Sequence, residues 1–256
     1  MMLSLTGRHI LITGASRGLG AVCARAFAAQ GARLTLMARS AEALEAVAAS
    51  CAEAGLHRSI PVDLLEMSQI ATAVDQLLQS DSCPDTVLHC AGGGLGLREP
   101  LLPAEGLQLL FSLNVAAPAE INRLLLPVMQ ERAKGNLVHV GSIAGSEAVA
   151  SVGYNTAKAA LAAYVRSLGN EMAASGIIVT GILPGGFRAP GNSWERLAAD
   201  KPDVVEQFVQ QRLPRGYLAQ AEELIPLLAF LCSDAASMMG GCMIPIDAGE
   251  GKAYAT

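Results

Sequence analysis

Tyr154 and Lys158 stand four residues apart, and Ser142 lies twelve residues before the tyrosine. On a helix a spacing of four puts both side chains on one face, so an ammonium can sit beside a phenol. A phenol ordinarily titrates near about pH 10, and an adjacent cation favours its ionised form. The spacing therefore predicts a Tyr154 proton donor whose pKa Lys158 draws down. Hydride addition to a carbonyl generates an alkoxide, which needs a preorganised donor and an acid to protonate it. Ser142 and Tyr154 are the residue types for those two tasks.

A second constellation opens the chain. Thr13, Gly14, Ala15, Ser16, Arg17, Gly18, Leu19 and Gly20 follow a short apolar run and precede a helical one. Glycines allow a tight turn and close approach of a pyrophosphate, and the helix N-terminus offers it free N–H groups and partial positive charge. A glycine turn can equally serve strand-to-helix packing alone. The Gly-Lys-Ser/Thr ending of a P-loop is missing, which removes the main support for an ATPase or kinase. About twenty residues on, an acid would bond the ribose 2′-hydroxyl of NAD. Ala38 and Arg39 stand there instead, with Arg17 in the glycine turn. Unless both arginines are merely solvated, they fit a 2′-phosphate, so NADP(H) is expected over NAD(H).

These residues need a scaffold, and the hydrophobic pattern supplies one. Strand-like runs at 9–13, 33–38, 59–62, 86–90, 136–140, 177–183 and 243–246 alternate with helical stretches at 18–30, 41–54, 67–80, 106–132, 152–174 and 221–232. That alternation is the βαβ rhythm of a parallel sheet. Pro127 predicts a local kink in its helix. One segment, 185–216, breaks the rhythm directly after a strand. A long insertion there is placed to act as a substrate lid, with Phe187, Trp194, Phe208 and Leu213 on its inner face, the alternative being that it simply covers the core.

The chain has 256 residues, 52% hydrophobic and 16% charged, and a mean hydropathy of +0.38. One α/β domain over 1–256 accommodates that, with surplus apolar surface for an oligomer contact or an apolar pocket. A net charge of −5 with scattered cations gives no footprint for nucleic acid. No signal-like N-terminus and no apolar run of membrane-spanning length are expected, which places the protein in the cytoplasm. Cys23, Cys51, Cys83, Cys90, Cys232 and Cys242 lack metal-site spacing and are expected to be reduced, and no metal site is expected. His9, His57, His89 and His139 show no partner pattern and are taken as structural.

In order, the Thr13 to Gly20 turn, Asp63, Ala91-Gly92, Asn114, Ser142, Tyr154 with Lys158, and Pro184-Gly185 resemble the motif series of the short-chain dehydrogenase/reductase family. The match runs from about Gly7 to Gly249. The resemblance implies a Rossmann-type, doubly wound, seven-stranded parallel sheet with helices on both faces. It also implies site roles. Asp63 and Leu64 would meet the adenine, and Ala91-Gly92 would support the adenine-ribose side. Asn114 would position a water in a proton relay, and Lys158 would hold the nicotinamide ribose. Pro184, Gly185 and Phe187 would line the cofactor, and a homodimer or homotetramer is expected.

Singly, several motif residues have plainer uses. Ser142 could form a turn, and Asn114 or Asp63 could cap a helix. Their joint order carries the reading. The sequence departs from the family pattern at His89-Cys90 and Ile178-Val179-Thr180, and Ala189 stands where threonine is frequent. Backbone groups of Gly186 and Phe187 are expected to stand in for that hydroxyl. The reaction implied is interconversion of a small hydrophobic ketone and a secondary alcohol. One alternative is a 3-oxoacyl-thioester reductase that meets an acidic carrier through Arg132, Lys134 and Arg188. A non-catalytic NADP(H)-binding sensor or scaffold is the other.

Overall fold

Parallel strands covered on both faces by helices bury every side chain, so they read as unbroken apolar runs. His9–Thr13 (β1) is such a run, with all five residues buried. It leads through the glycine turn into α1 (Gly18–Ala28), β2 (Arg33–Ala38) and α2 (Ala41–Ala49). β3 (Arg58–Pro61), α3 (Met67–Ser80) and β4 (Thr86–His89) complete the first half. The second half runs α4 (Ala104–Phe111), α5 (Ala117–Glu131), β5 (Gly135–Val140), α6 (Val152–Met172) and β6 (Ile177–Pro184). After β6 come β7 (Phe187–Arg188), α7 (Ser193–Asp200), α8 (Pro202–Arg212), β8 (Ala219–Gln220), α9 (Ile225–Leu231) and β9 (Met243–Ile246).

The computed structural model describes residues 4–80 and 82–253; residues 1–3, 81 and 254–256 of the expected single domain lie outside the described residues. Seven strands form one parallel sheet in the order β3-β2-β1-β4-β5-β6-β9. This is the doubly wound architecture the motif series implies. The order reverses between β1 and β4, whose last residues Thr13 and His89 are paired neighbours. Ligands of such sheets bind at that crevice, outside the carboxyl ends of the strands. One core, with Phe27, Leu44 and Leu228, lies under α1, α2 and α9; the other, with Leu77, Ile121 and Val165, lies under α3, α5 and α6.

Several boundaries differ from the sequence pattern. The expected helix 41–54 ends at Ala49, and 106–132 is two helices joined by a π-helical turn, Ser112–Ala116. Pro127 lies inside α5, which continues to Glu131. The joined helix Ala104–Glu131 is long and apolar enough to cross a membrane by length and composition, contrary to expectation. Its stripe of Leu110, Ile121, Leu125 and Met129 is fully buried in this domain, which accounts for that apolarity as a core face.

The 185–216 segment is not a bare loop. Asn192 caps α7 by accepting from Glu195 N at 2.9 Å, and Pro202 starts α8 where no N–H is needed. Trp194 and Phe208 pack at 4.3 Å between ring centroids, in a small cluster with Val205, Leu213 and Leu218. Phe187, expected on the same apolar face, packs against the main core instead.

Candidate active site

The glycine turn hugs the neighbouring strand ends. Ala15 N donates to Met37 O at 3.2 Å, and Ala91 N to Thr13 Oγ1 at 3.4 Å. Gly14 has φ +68°, and a Cβ there would lie 2.8 Å from the Ala91 backbone, so a side chain is excluded twice over. Gly18 N donates to Pro190 O at 2.8 Å, which ties the start of α1 to the root of the 185–216 segment. Ser16 is partly exposed, and Leu19 and Gly20 are buried in α1. Arg17 and Arg39 are exposed at the ends of β1 and β2; Arg17 Nη1 reaches Gly191 O at 3.3 Å. No acid stands beside Arg39 in sequence, and its side chain has no partner among the described residues.

Asp63 is no helix cap. Its Oδ1 accepts from Leu65 N at 3.0 Å, four residues before α3 begins, while Leu64 is buried. Nor is Asn114 a cap. It sits buried in the π-helical turn, where Oδ1 accepts from Gly93 N at 3.0 Å. Its Nδ2 donates to Gly93 O at 3.0 Å and to Leu110 O at 2.9 Å. Extra backbone in a π-turn re-aims a side chain, and here it points Asn114 at the Ala91-Gly92 turn. A Cβ on Gly92 would lie 2.8 Å from Asn114 Oδ1 and 3.2 Å from Lys158 Nζ. Three motif residues thus converge on one backbone position.

Ser142 follows β5 in extended conformation and its Oγ accepts from Ala144 N at 3.1 Å. Tyr154 and Lys158 share a face of α6, with Lys158 Nζ 5.7 Å from the phenol ring centroid. Lys158 is 3% exposed and donates to Val140 O at 2.9 Å. Burial lowers its pKa to about 8, and nearby Cys90 opposes that shift. For Tyr154 the expected direction is reversed: burial pushes the phenol up to about 12, while a hydrogen bond with Ser142 pulls it down. The ring keeps partial exposure at the cleft, so solvent moderates that rise. Desolvation is the dominant influence on the phenol. The two hydroxyls nevertheless converge, as carbonyl chemistry requires.

Pro184 ends β6 buried, and Gly185 turns the chain away. The N–H of Gly186 is not free to replace a threonine hydroxyl at Ala189. It donates to Glu250 Oε2 at 2.6 Å, and Phe187 O accepts from Asn192 Nδ2 at 2.8 Å. A cavity of about 400 Å³ lies beside this root, lined by Gly185, Phe187, Tyr217 and Asp247. None of Asn114, Ser142, Tyr154 and Lys158 lines it.

Sequence reasoning missed the histidines' arrangement. The rings of His89 and His139 stack at 4.6 Å, and His89 Nε2 bonds Asn122 Oδ1 at 2.9 Å. Asn122 Nδ2 in turn reaches His139 Nε2 at 3.3 Å and Tyr164 OH at 3.1 Å. Burial lowers the His89 pKa to about 4 and depresses His139 as well, so both are neutral at pH 7. All six cysteines are free thiols. Arg132 and Lys134 precede β5, at the opposite end of the sheet from the site. Arg132 Nη1 donates to Cys83 O at 2.9 Å and Lys134 lies 3.5 Å from Asp234. Neither serves a carrier-docking patch at the cleft.

A family model described as enoyl-(acyl carrier protein) reductase matches residues 14–250. The rhamnolipid-biosynthesis 3-oxoacyl-[acyl-carrier-protein] reductase of Pseudomonas aeruginosa is 31% identical over 252 residues, 96% of this chain and 97% of that one. This chain is a short-chain dehydrogenase/reductase. Levodione reductase of Leifsonia aquatica is 30% identical over 258 residues, covering 97% and 96% of the two chains. L-sorbose reductase from Gluconobacter frateurii, solved with NADPH and L-sorbose, superimposes with a TM-score of 0.91 at 28% identity, over 99% of this chain and 100% of that one. The enzyme is accordingly a nicotinamide-dependent oxidoreductase interconverting C=O and CH–OH groups.

Proposed function

We propose that the enzyme uses NADP(H) in preference to NAD(H), with Ser142 and Tyr154 holding the substrate oxygen and Tyr154 exchanging its proton. The convergence of those two hydroxyls beside Lys158 carries the reading. Gly14 packed on Ala91, and Gly92 packed on Asn114 and Lys158, hold the turn tightly with no room for side chains, which fits close approach of a dinucleotide. Gly14, Ser16, Arg17, Gly18, Leu19 and Gly20 would hold the pyrophosphate side, and Asp63, Leu64, Ala91 and Gly92 the adenosine side. Pro184, Gly185 and Phe187 would border the nicotinamide, which supplies the hydride when bound. Arg17 and Arg39 would pair with the 2′-phosphate. The NADPH in the L-sorbose reductase structure supports this preference.

With a phenol pKa of about 12, Tyr154 is protonated at neutral pH and ready to donate. Ser142 donates to the same oxygen and fixes it against the phenol. Lys158, held by Val140 O, stabilises negative charge that develops on the phenol as its proton leaves. Asn114 holds the Gly92–Gly93 turn against Lys158, and in the proton relay it would position water. Tyr154→Phe should lower turnover by about a thousandfold while nicotinamide fluorescence still reports cofactor binding. Residual reductase activity near the wild-type level would reject the acid assigned.

The substrate proposed is a small hydrophobic ketone or secondary alcohol. Ser151 Oγ joins the 93–97 loop to the start of α6 through Leu97 O at 3.1 Å, and Leu95 and Val152 present exposed apolar side chains there. Residues 185–216 would close over this mouth as a lid. A second reading, 3-oxoacyl-thioester reduction, is favoured by the Pseudomonas relative's name. Much faster turnover of acyl-carrier thioesters than of free ketones would establish it. Binding without turnover across a carbonyl panel would mark a sensor. We further propose a cytoplasmic homodimer or homotetramer built on α5 and α6, the helices that follow Asn114 and hold Tyr154; light scattering tests the assembly.

A further inference from the structure

We propose that Glu250 is a positioning residue of this enzyme: its carboxylate ties the root of the 185–216 segment to that segment's last helix and so sets the segment's stance over the substrate cleft. The inference rests on the lid reading above.

Trp194, Leu197, Phe208, Val209, Leu213 and Leu218 pack on one another in a cluster of their own. A segment with its own apolar core moves as a body, and its polar ties decide where that body stands. Glu250 is 5% exposed, and a carboxylate so buried requires partners. Its Oε2 accepts from Gly186 N at 2.6 Å, and its Oε1 lies 3.9 Å from Arg212 Nη2 at the end of α8. A Cβ on Gly185 would stand 2.5 Å from Oε2, so the approach depends on glycine there. Arg212 Nε is buried with no hydrogen-bond partner. Arginine–carboxylate pairs favour two parallel bonds, and a small advance of α8 would bring the pair from 3.9 Å into hydrogen-bond distance. The cavity of about 400 Å³ beside the root leaves room for that movement.

The strip carrying Glu250 is itself anchored to the loop that follows Ser142. Glu147 Oε1 accepts from Lys252 N at 2.6 Å and Ala253 N at 2.8 Å, while Asp247 Oδ2 accepts from Gly251 N at 2.9 Å. Burial raises the Glu250 pKa; Gly186 N–H and Arg212 oppose the rise, and Asp247 and Glu147 add to it. Arg212, Asp247 and Glu147 are the charged groups facing it. Protonation removes the attraction for Arg212, so the tie loosens as pH falls through the raised value.

Trp194 is the chain's one tryptophan and lies in the segment, so its fluorescence reports the segment directly. The experiment compares wild type, Glu250→Gln and Arg212→Met for acrylamide quenching of Trp194 between pH 5 and 8, and for kcat and KM on the best ketone. The expected result is about a fivefold rise in KM in both variants, the loss of roughly one hydrogen bond, with kcat within twofold. Quenching of wild type should increase on acidification, and both variants should lose that step. Unchanged quenching at every pH, or equal loss of kcat in both variants with KM unmoved, overturns the proposal. An unfolded Glu250→Gln leaves the decision to Arg212→Met. Inactivity of wild type on every carbonyl would count against the catalytic reading and leave the fluorescence comparison intact.

Discussion

Lys158 should weaken the fold that it serves. Burial lowers its pKa from 10.5 to about 8; at about 1.4 kcal/mol per pH unit, the charged form is disfavoured by about 3 kcal/mol. Replacing it by methionine removes that cost and sacrifices the bond to Val140 O, worth about 1.5 kcal/mol or somewhat more. Lys158→Met should therefore gain about 1–2 kcal/mol at pH 7, or about 3–6 °C in melting temperature for a domain of this size, while losing turnover. Below pH 8 both folded and unfolded lysines are protonated and the full cost is present. Between 8 and 10.5 the unfolded chain binds a proton that the folded one does not, so wild-type stability rises with pH and overtakes the variant. Urea unfolding of both proteins from pH 6 to 10.5, without added cofactor, measures this. A variant less stable than wild type at pH 7, by an amount constant up to pH 10.5, would refute the reasoning.

Two substitutions probe the cofactor turn. Gly14→Ala combines φ +68° with a Cβ 2.8 Å from the Ala91 backbone, and should cost about 2–4 kcal/mol in stability with impaired nicotinamide binding; melting and fluorescence titration check both. Arg17→Ser with Arg39→Ser should raise the KM for NADPH about ten- to a hundredfold and leave that for NADH within threefold. Equal losses for both cofactors would show that the arginines do not read the 2′-phosphate.

Much of the architecture was legible in residue order, because burial on both faces forces continuous apolar runs and four-residue spacing forces a shared helix face. The strands His9–Thr13 and Arg33–Ala38 and the helix Met67–Ser80 stand where the pattern puts them. So do the Tyr154–Lys158 pair and the glycine turn. Tertiary structure alone decided the rest. The π-turn that aims Asn114 and the stacking of His89 on His139 join residues with no periodic signal between them. Glu250 meets Gly186 across 64 residues of chain. The Tyr154 pKa depends on how much water the folded cleft removes from the phenol and on the approach of Ser142. Sequence specifies which groups are present and which local faces they share; desolvation and long-range contact exist only once the chain has closed on itself.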